Sequence, residues 1–179
     1  MTCRAIMTRL AFGLASFIFA GATAFAGTGT GTLTATTSVN TNCTIAATAV
    51  AFGTYDPIGA NRTTALTTSG SITIACVKGT TPTIGLSLGN NASGSTRRMA
   101  GSISGFLVYE LYQPPTTTAG AACTFPGTTV WGTTGANLFT PTAAPTKTSR
   151  TYNVCGSAPA GQDPNVGTYS DTVVATVTF

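Results

Sequence analysis

The segment TVVATVTF, residues 172–179, sets Val173, Ala175, Val177 and Phe179 against Thr172, Val174, Thr176 and Thr178. A repeat of two puts each set on its own face of an extended chain, so this segment predicts a β-strand. Moving back along the chain, residues 106–112 (FLVYELY) are apolar on both faces except at Glu110, as expected of a strand in the middle of a sheet. Residues 83–88 (TIGLSL) align Ile84, Leu86 and Leu88. Residues 71–77 (SITIACV) align Ile72, Ile74 and Cys76 opposite Ser71, Thr73 and Ala75. Thinner patterns lie at 44–52, 128–131 and 150–155. Between them stand the turn clusters Asp56-Pro57-Ile58-Gly59, Gly89-Asn90-Asn91, Gln113-Pro114-Pro115 and Asp163-Pro164-Asn165. Several strands with turn signals between them, and no helical period, predict an all-β sandwich with long loops at 116–127 and 140–148.

The beginning of the chain has a different composition. Arg4 and Arg9 precede the apolar run LAFGLASFIFA at 10–20, which is short for a bilayer span, and Ala24-Phe25-Ala26 follows with small residues at the first and third places. This is the pattern of a secretory signal, residues 1–26, with cleavage expected after Ala26; a retained membrane anchor is the alternative. No later stretch reads as a span, so direct membrane insertion is not expected. Cleavage removes Cys3 and leaves Cys43, Cys76, Cys123 and Cys155. An even number of cysteines in an exported chain implies two disulfides, with three connectivities open. Cys43–Cys76 with Cys123–Cys155 is preferred because each pair closes a loop of moderate length. A zinc site lacks both C-x-x-C spacing and any histidine.

After cleavage the basic residues are Arg62, Lys78, Arg97, Arg98, Lys147 and Arg150, against the acids Asp56, Glu110, Asp163 and Asp171. That balance is too weak and scattered for a nucleic-acid surface. The adjacent Arg97 and Arg98 are expected in a solvated turn. Enzyme chemistry has little to work with: the hydroxyls lack a histidine base, and no glycine-rich loop carries a phosphate-binding lysine. Glu110 is expected to face solvent at a sheet edge or to pair with an arginine. Asp163 and Asp171 are expected to bond locally in turns. Trp131 is expected in packing rather than under a sugar ring. No catalytic residue, cofactor or metal is expected.

Residues 27–31 (GTGTG) form a flexible start. From there Leu33, Ala35, Thr37 and Val39 alternate with Thr32, Thr34, Thr36 and Ser38, an uncharged strand pattern ahead of the first retained cysteine. Such a segment pairs readily with an open sheet edge. The pattern fits a strand offered to another chain, or the first strand of its own domain.

Several motifs in order carry a resemblance: Cys43-Thr44; Gly70-Ser71-Ile72-Thr73-Ile74-Ala75-Cys76; Gly89-Asn90-Asn91-Ala92-Ser93-Gly94 leading to Arg97-Arg98-Met99; Tyr109-Glu110-Leu111-Tyr112; Val130-Trp131-Gly132; and Gly167-Thr168-Tyr169-Ser170-Asp171-Thr172-Val173 running to Val177-Thr178-Phe179. The chain resembles the spore coat protein U domain family, which includes pilin subunits of archaic chaperone–usher pili. It departs from the family in the longer, Pro-rich stretch 113–129 that carries Cys123.

The resemblance implies an immunoglobulin-like Greek-key sandwich lacking its final strand, over residues 41–179, preceded by a donor-strand extension at 27–40. Leu33, Ala35, Thr37 and Val39 would face the groove of a neighbouring subunit. Val173, Ala175, Val177 and Phe179 would line that groove and pair with a periplasmic chaperone. The implied partners are this chaperone, an outer-membrane usher and other pilin subunits in a head-to-tail polymer. The implied location is a surface fibre reached through the periplasm, supporting adhesion and biofilm formation. A secreted coat or matrix protein of the same fold, and a carbohydrate- or surface-binding adhesin, are the alternatives.

Overall fold

The computed structural model describes residues 26–179; the expected signal, apart from its last residue, lies outside the described residues. Residues 26–42 carry no strand and are exposed, with Leu33 97% and Val39 78% accessible. The alternating pattern at 32–39 therefore forms no strand, and the first strand of the fold begins at Cys43.

Eight strands follow: β1 (Cys43–Thr48), β2 (Leu66–Cys76), β3 (Thr83–Leu86), β4 (Arg97–Gly101), β5 (Phe106–Tyr112), β6 (Arg150–Ala158), β7 (Tyr169–Ser170) and β8 (Ala175–Thr178). Every pairing is antiparallel. Six strands form one sheet in the order β1-β2-β6-β5-β4-β7, and β3 and β8 form the second. The helical content of the described residues is two short 3-10 turns, Ala60–Arg62 and Gly135–Asn137. The result is an immunoglobulin-like sandwich whose second sheet is narrow.

Alternation accounts for the core. On β2, Ile72, Ile74 and Cys76 are buried. On the outer face Thr73 shares a hydroxyl hydrogen bond of 2.8 Å with Thr151 of β6, as Thr48 does with Ser71. On β5, Leu107, Tyr109 and Leu111 are buried, and the strand lies between β6 and β4 as its composition predicts. Trp131 is fully buried and packs on Phe139, which packs on Tyr152; ring centroids are 4.8 and 5.1 Å apart. The Trp131 indole N–H donates to the Ile84 carbonyl at 2.9 Å. The 131–139 stretch also covers one edge of β3: the Leu86 amide donates to Gly132, and Ile84 and Phe139 exchange backbone bonds. Residues 128–131 thus make a single bridge, Tyr112 to Val130, where a strand was expected.

Both disulfides are formed. Cys43 and Cys76 face each other across β1 and β2, and Cys123 ties the long β5–β6 connection to Cys155 of β6.

Three expectations need correction. Arg97 and Arg98 lie in β4, where adjacent residues take opposite faces. Arg98 stands over the Phe106 ring, 4.0 Å from its centroid. Arg97 is fully buried; it pairs with Glu110 and donates to the carbonyls of Leu86 (3.2 Å), Ser87 (2.8 Å) and Trp131 (2.7 Å). One guanidinium therefore joins β3, β5 and the tryptophan loop, and its five donors suit that task. The strand expected at 83–88 ends at Leu86, leaving Leu88 39% exposed. The strand expected at 172–179 is confined to β8, because residues 169–170 pair with β4 in the first sheet and the chain then crosses to β3 in the second.

Candidate strand-binding groove

β1 pairs with β2 alone and β8 with β3 alone, so among the described residues each has an edge without a strand partner. Between these two edges the sandwich is open. A cavity of about 420 Å³ lies between residues 47–52 on one side and 170–175 on the other, with Ile72, Leu86, Met99, Tyr109, Leu111 and Val154 as its floor. A second cavity of about 760 Å³ lies between 50–57 and 164–169, over Leu66, Met99 and Leu107. Val50, Phe52, Met99 and Tyr169 belong to both, so the two form one groove. One rim rises in number from 47 to 55 as the other falls from 175 to 164; the rims run antiparallel. A strand lying between them is parallel to one rim and antiparallel to the other, whichever way it enters.

The first rim is shaped by two glycines. Residues 49–52 leave β1 and cross close over β2 and β6. A Cβ on Gly70 would stand 2.7 Å from Val50 Cγ2, and one on Gly156 would stand 2.5 Å from Val50 Cγ1 and 2.9 Å from Phe52 Cζ. Any larger residue at either place pushes this rim outward. Phe52 reaches across to Tyr109, with ring centroids 5.9 Å apart.

The second rim is pinned by Asp171, which the sequence suggested would bond only locally. Its carboxylate accepts from the Thr172 amide (2.9 Å), but also from the Asn91 amide (3.1 Å), the Asn91 side chain (3.0 Å) and the Tyr109 hydroxyl (2.7 Å). Gly89 is required beneath it, since a Cβ there would lie 1.9 Å from Asp171 Oδ2. The network fixes the point where the chain passes from β7 to β8. Burial, reinforced by the bond to Asp171, pushes the Tyr109 phenol well above the ordinary tyrosine range. Asp171 is the one charged side chain among the described residues lining the groove.

Of the residues expected along the groove, Val173 and Ala175 line it. Val177 packs on the core from β8, and Phe179 is half exposed beyond it. The rim at 47–55 and the floor residues Met99 and Tyr109 were not singled out by sequence. The burial alternation of 171–178, half-buried at odd positions and exposed at even ones, is the signal that one face of the terminal segment meets the core.

Known proteins are similar to this chain in sequence or in fold. Protein U of Myxococcus xanthus is 37% identical over 139 residues, covering 72% of this chain and 70% of the relative. A crystal structure of the CsuC–CsuE chaperone–tip adhesion subunit pre-assembly complex, from archaic chaperone–usher Csu pili of Acinetobacter baumannii, superposes with a TM-score of 0.53 at 25% identity. That match covers 79% of this chain, and the chain spans 40% of the length of that structure's chain. The profile of the Spore Coat Protein U domain matches residues 29–176, from within the N-terminal segment to the last strand, and the chain belongs to this family.

Proposed function

We propose that this chain is a structural subunit of a chaperone–usher type surface fibre, polymerised by strand exchange. The observation that carries the reading is the groove: an apolar floor of core side chains open between two rims whose outer backbone edges have no strand partner. Exposed core beside open edges aggregates unless another strand covers it. The segment 27–40 supplies a strand of suitable character. It has no charge, high β-propensity and one mostly apolar face of Leu33, Ala35, Thr37 and Val39. From 32 to 39 an extended chain spans roughly 25 Å.

In this account, cleavage after Ala26 frees residues 27–40, and a periplasmic chaperone first lends a strand to the groove beside Val173, Ala175 and Val177. At an outer-membrane usher, residues 27–40 of the next copy replace it, giving a head-to-tail fibre. Backbone hydrogen bonds to both rims supply affinity, and alternate side chains meeting the floor supply specificity. The role is structural rather than enzymatic, and a surface fibre of this kind serves adhesion and biofilm formation. The Csu complex supports the reading, because a chaperone and a pilus subunit are paired there. A coat or matrix protein of the same fold is the second reading, favoured by the family's description as a Spore Coat Protein U domain.

Periplasmic expression with and without a matching pilus chaperone tests the proposal. The expected outcome is soluble chain only with the chaperone, recovered as a one-to-one complex. A stable monomer of full yield without any chaperone would contradict it.

A further inference from the structure

We propose that Thr37 sets the register of the exchanged strand, by donating its hydroxyl proton to the phenol oxygen of Tyr109 in the groove of the next copy. The inference rests on the strand-exchange reading above.

On the strand, the face of Leu33, Ala35, Thr37 and Val39 carries one hydroxyl. The opposite face, Thr32, Thr34, Thr36 and Ser38, is hydroxyl throughout and suits water. In the groove, the floor is apolar at Ile72, Leu86, Met99, Leu111 and Val154 and polar at Tyr109. Tyr109 is 5% exposed, and its proton is committed to Asp171 Oδ2 at 2.7 Å. Asp171 is itself held by Asn91 and Thr172, so this donation has a fixed direction. Among the described residues no group donates back to the phenol oxygen, which retains an acceptor site.

While the groove is open, water serves that acceptor. A strand that closes the groove excludes the water, and an acceptor left dry costs more than a hydrogen bond gains. Thr37 is the inward residue able to donate. With Thr37 at Tyr109, the apolar Ala35 and Val39 fall on either side. A slip of two residues puts the methyl of Ala35 or the isopropyl of Val39 on the phenol and leaves Thr37 facing apolar floor. A slip of one residue turns the all-hydroxyl face inward. The Thr48–Ser71 hydroxyl pair reaches the margin of the groove from the outer face of the sheet, but these two satisfy each other at 2.8 Å and Thr48 is exposed. They exert a weaker demand.

The test uses the full-length mature chain held in its chaperone complex and a labelled synthetic peptide of residues 27–40, with capture of the peptide in exchange for the chaperone read by fluorescence anisotropy and capping of growth by light scattering. Thr37→Val in the peptide keeps shape and removes the donor. The expected result is roughly fivefold to tenfold weaker capture of the T37V peptide by the wild-type chain, the cost of one hydrogen bond. On a Y109F chain the two peptides bind alike, while on an S71A chain the T37V penalty persists. Equal binding of both peptides to the wild-type chain overturns the inference. So does a penalty unchanged in Y109F or lost in S71A. If the wild-type peptide neither binds nor caps, the strand-exchange reading itself fails and the register with it; a peptide that binds without regard to Tyr109 removes the register alone.

Discussion

Replacing Arg97 by methionine removes the group that joins β3, β5 and the tryptophan loop while keeping much of the side-chain volume. Arg97 is fully buried, and Glu110, its partner, is 23% exposed at the side chain. The substitution strands the Glu110 carboxylate and the carbonyls of Leu86, Ser87 and Trp131. Breaking a buried pair from one side costs about 3–5 kcal/mol. For a domain of this size about 4 kcal/mol lowers the melting temperature by roughly 10 °C. The double substitution R97M/E110L removes the stranded carboxylate but not the stranded carbonyls, so it should recover only part of the loss, about 1–2 kcal/mol. Urea unfolding of the oxidised chain, followed by Trp131 fluorescence, measures both. A loss below about 1 kcal/mol for R97M, or full recovery in the double variant, would refute this account of what the guanidinium does.

Removing either disulfide by paired Cys→Ser substitution should cost about 4 kcal/mol, because the loops close over separations of 33 and 32 residues; near-equal losses in chemical unfolding are expected. Raised phenol pKa values make the fold sensitive to alkali. Tyr109, and in the same direction Tyr112 and Tyr152, hold their protons to higher pH in the folded chain than in the unfolded one. Their contribution is complete below the ordinary tyrosine value of 10.0 and declines as pH rises past it. Unfolding free energies measured from pH 8 to 11 should fall, with a shallower fall in Y109F.

The legibility of this chain in its sequence depends on how local each signal is. β2 announces itself because burial on one face imprints a period of two that selects Ile72, Ile74 and Cys76, while β5 announces itself as a nearly unbroken apolar run that marks a central strand without telling which face is the more deeply buried. β4 is obscured by Arg97 and Arg98, since adjacent charges look like a solvated turn although strand geometry sends them to opposite faces. β7 has two residues, too few to carry any period. The end of the chain reads as one strand because its alternation continues through the crossing between sheets, and only partner identity reveals the switch at Asp171. The groove was half visible. Val173 and Ala175 follow from the terminal pattern, while the 47–55 rim depends on Gly70 and Gly156, whose closeness to Val50 and Phe52 exists only in three dimensions. The pattern at 32–39 states a preference for extended pairing without naming the partner.

Deleting residues 27–40 tests the central claim most directly. With a matching chaperone and usher present, the account predicts that the shortened chain still forms the chaperone complex, because its groove is intact, yet yields no polymer; adding the 27–40 peptide should then displace the chaperone and raise the melting temperature of the subunit. Fibres of undiminished length from the shortened chain would contradict it.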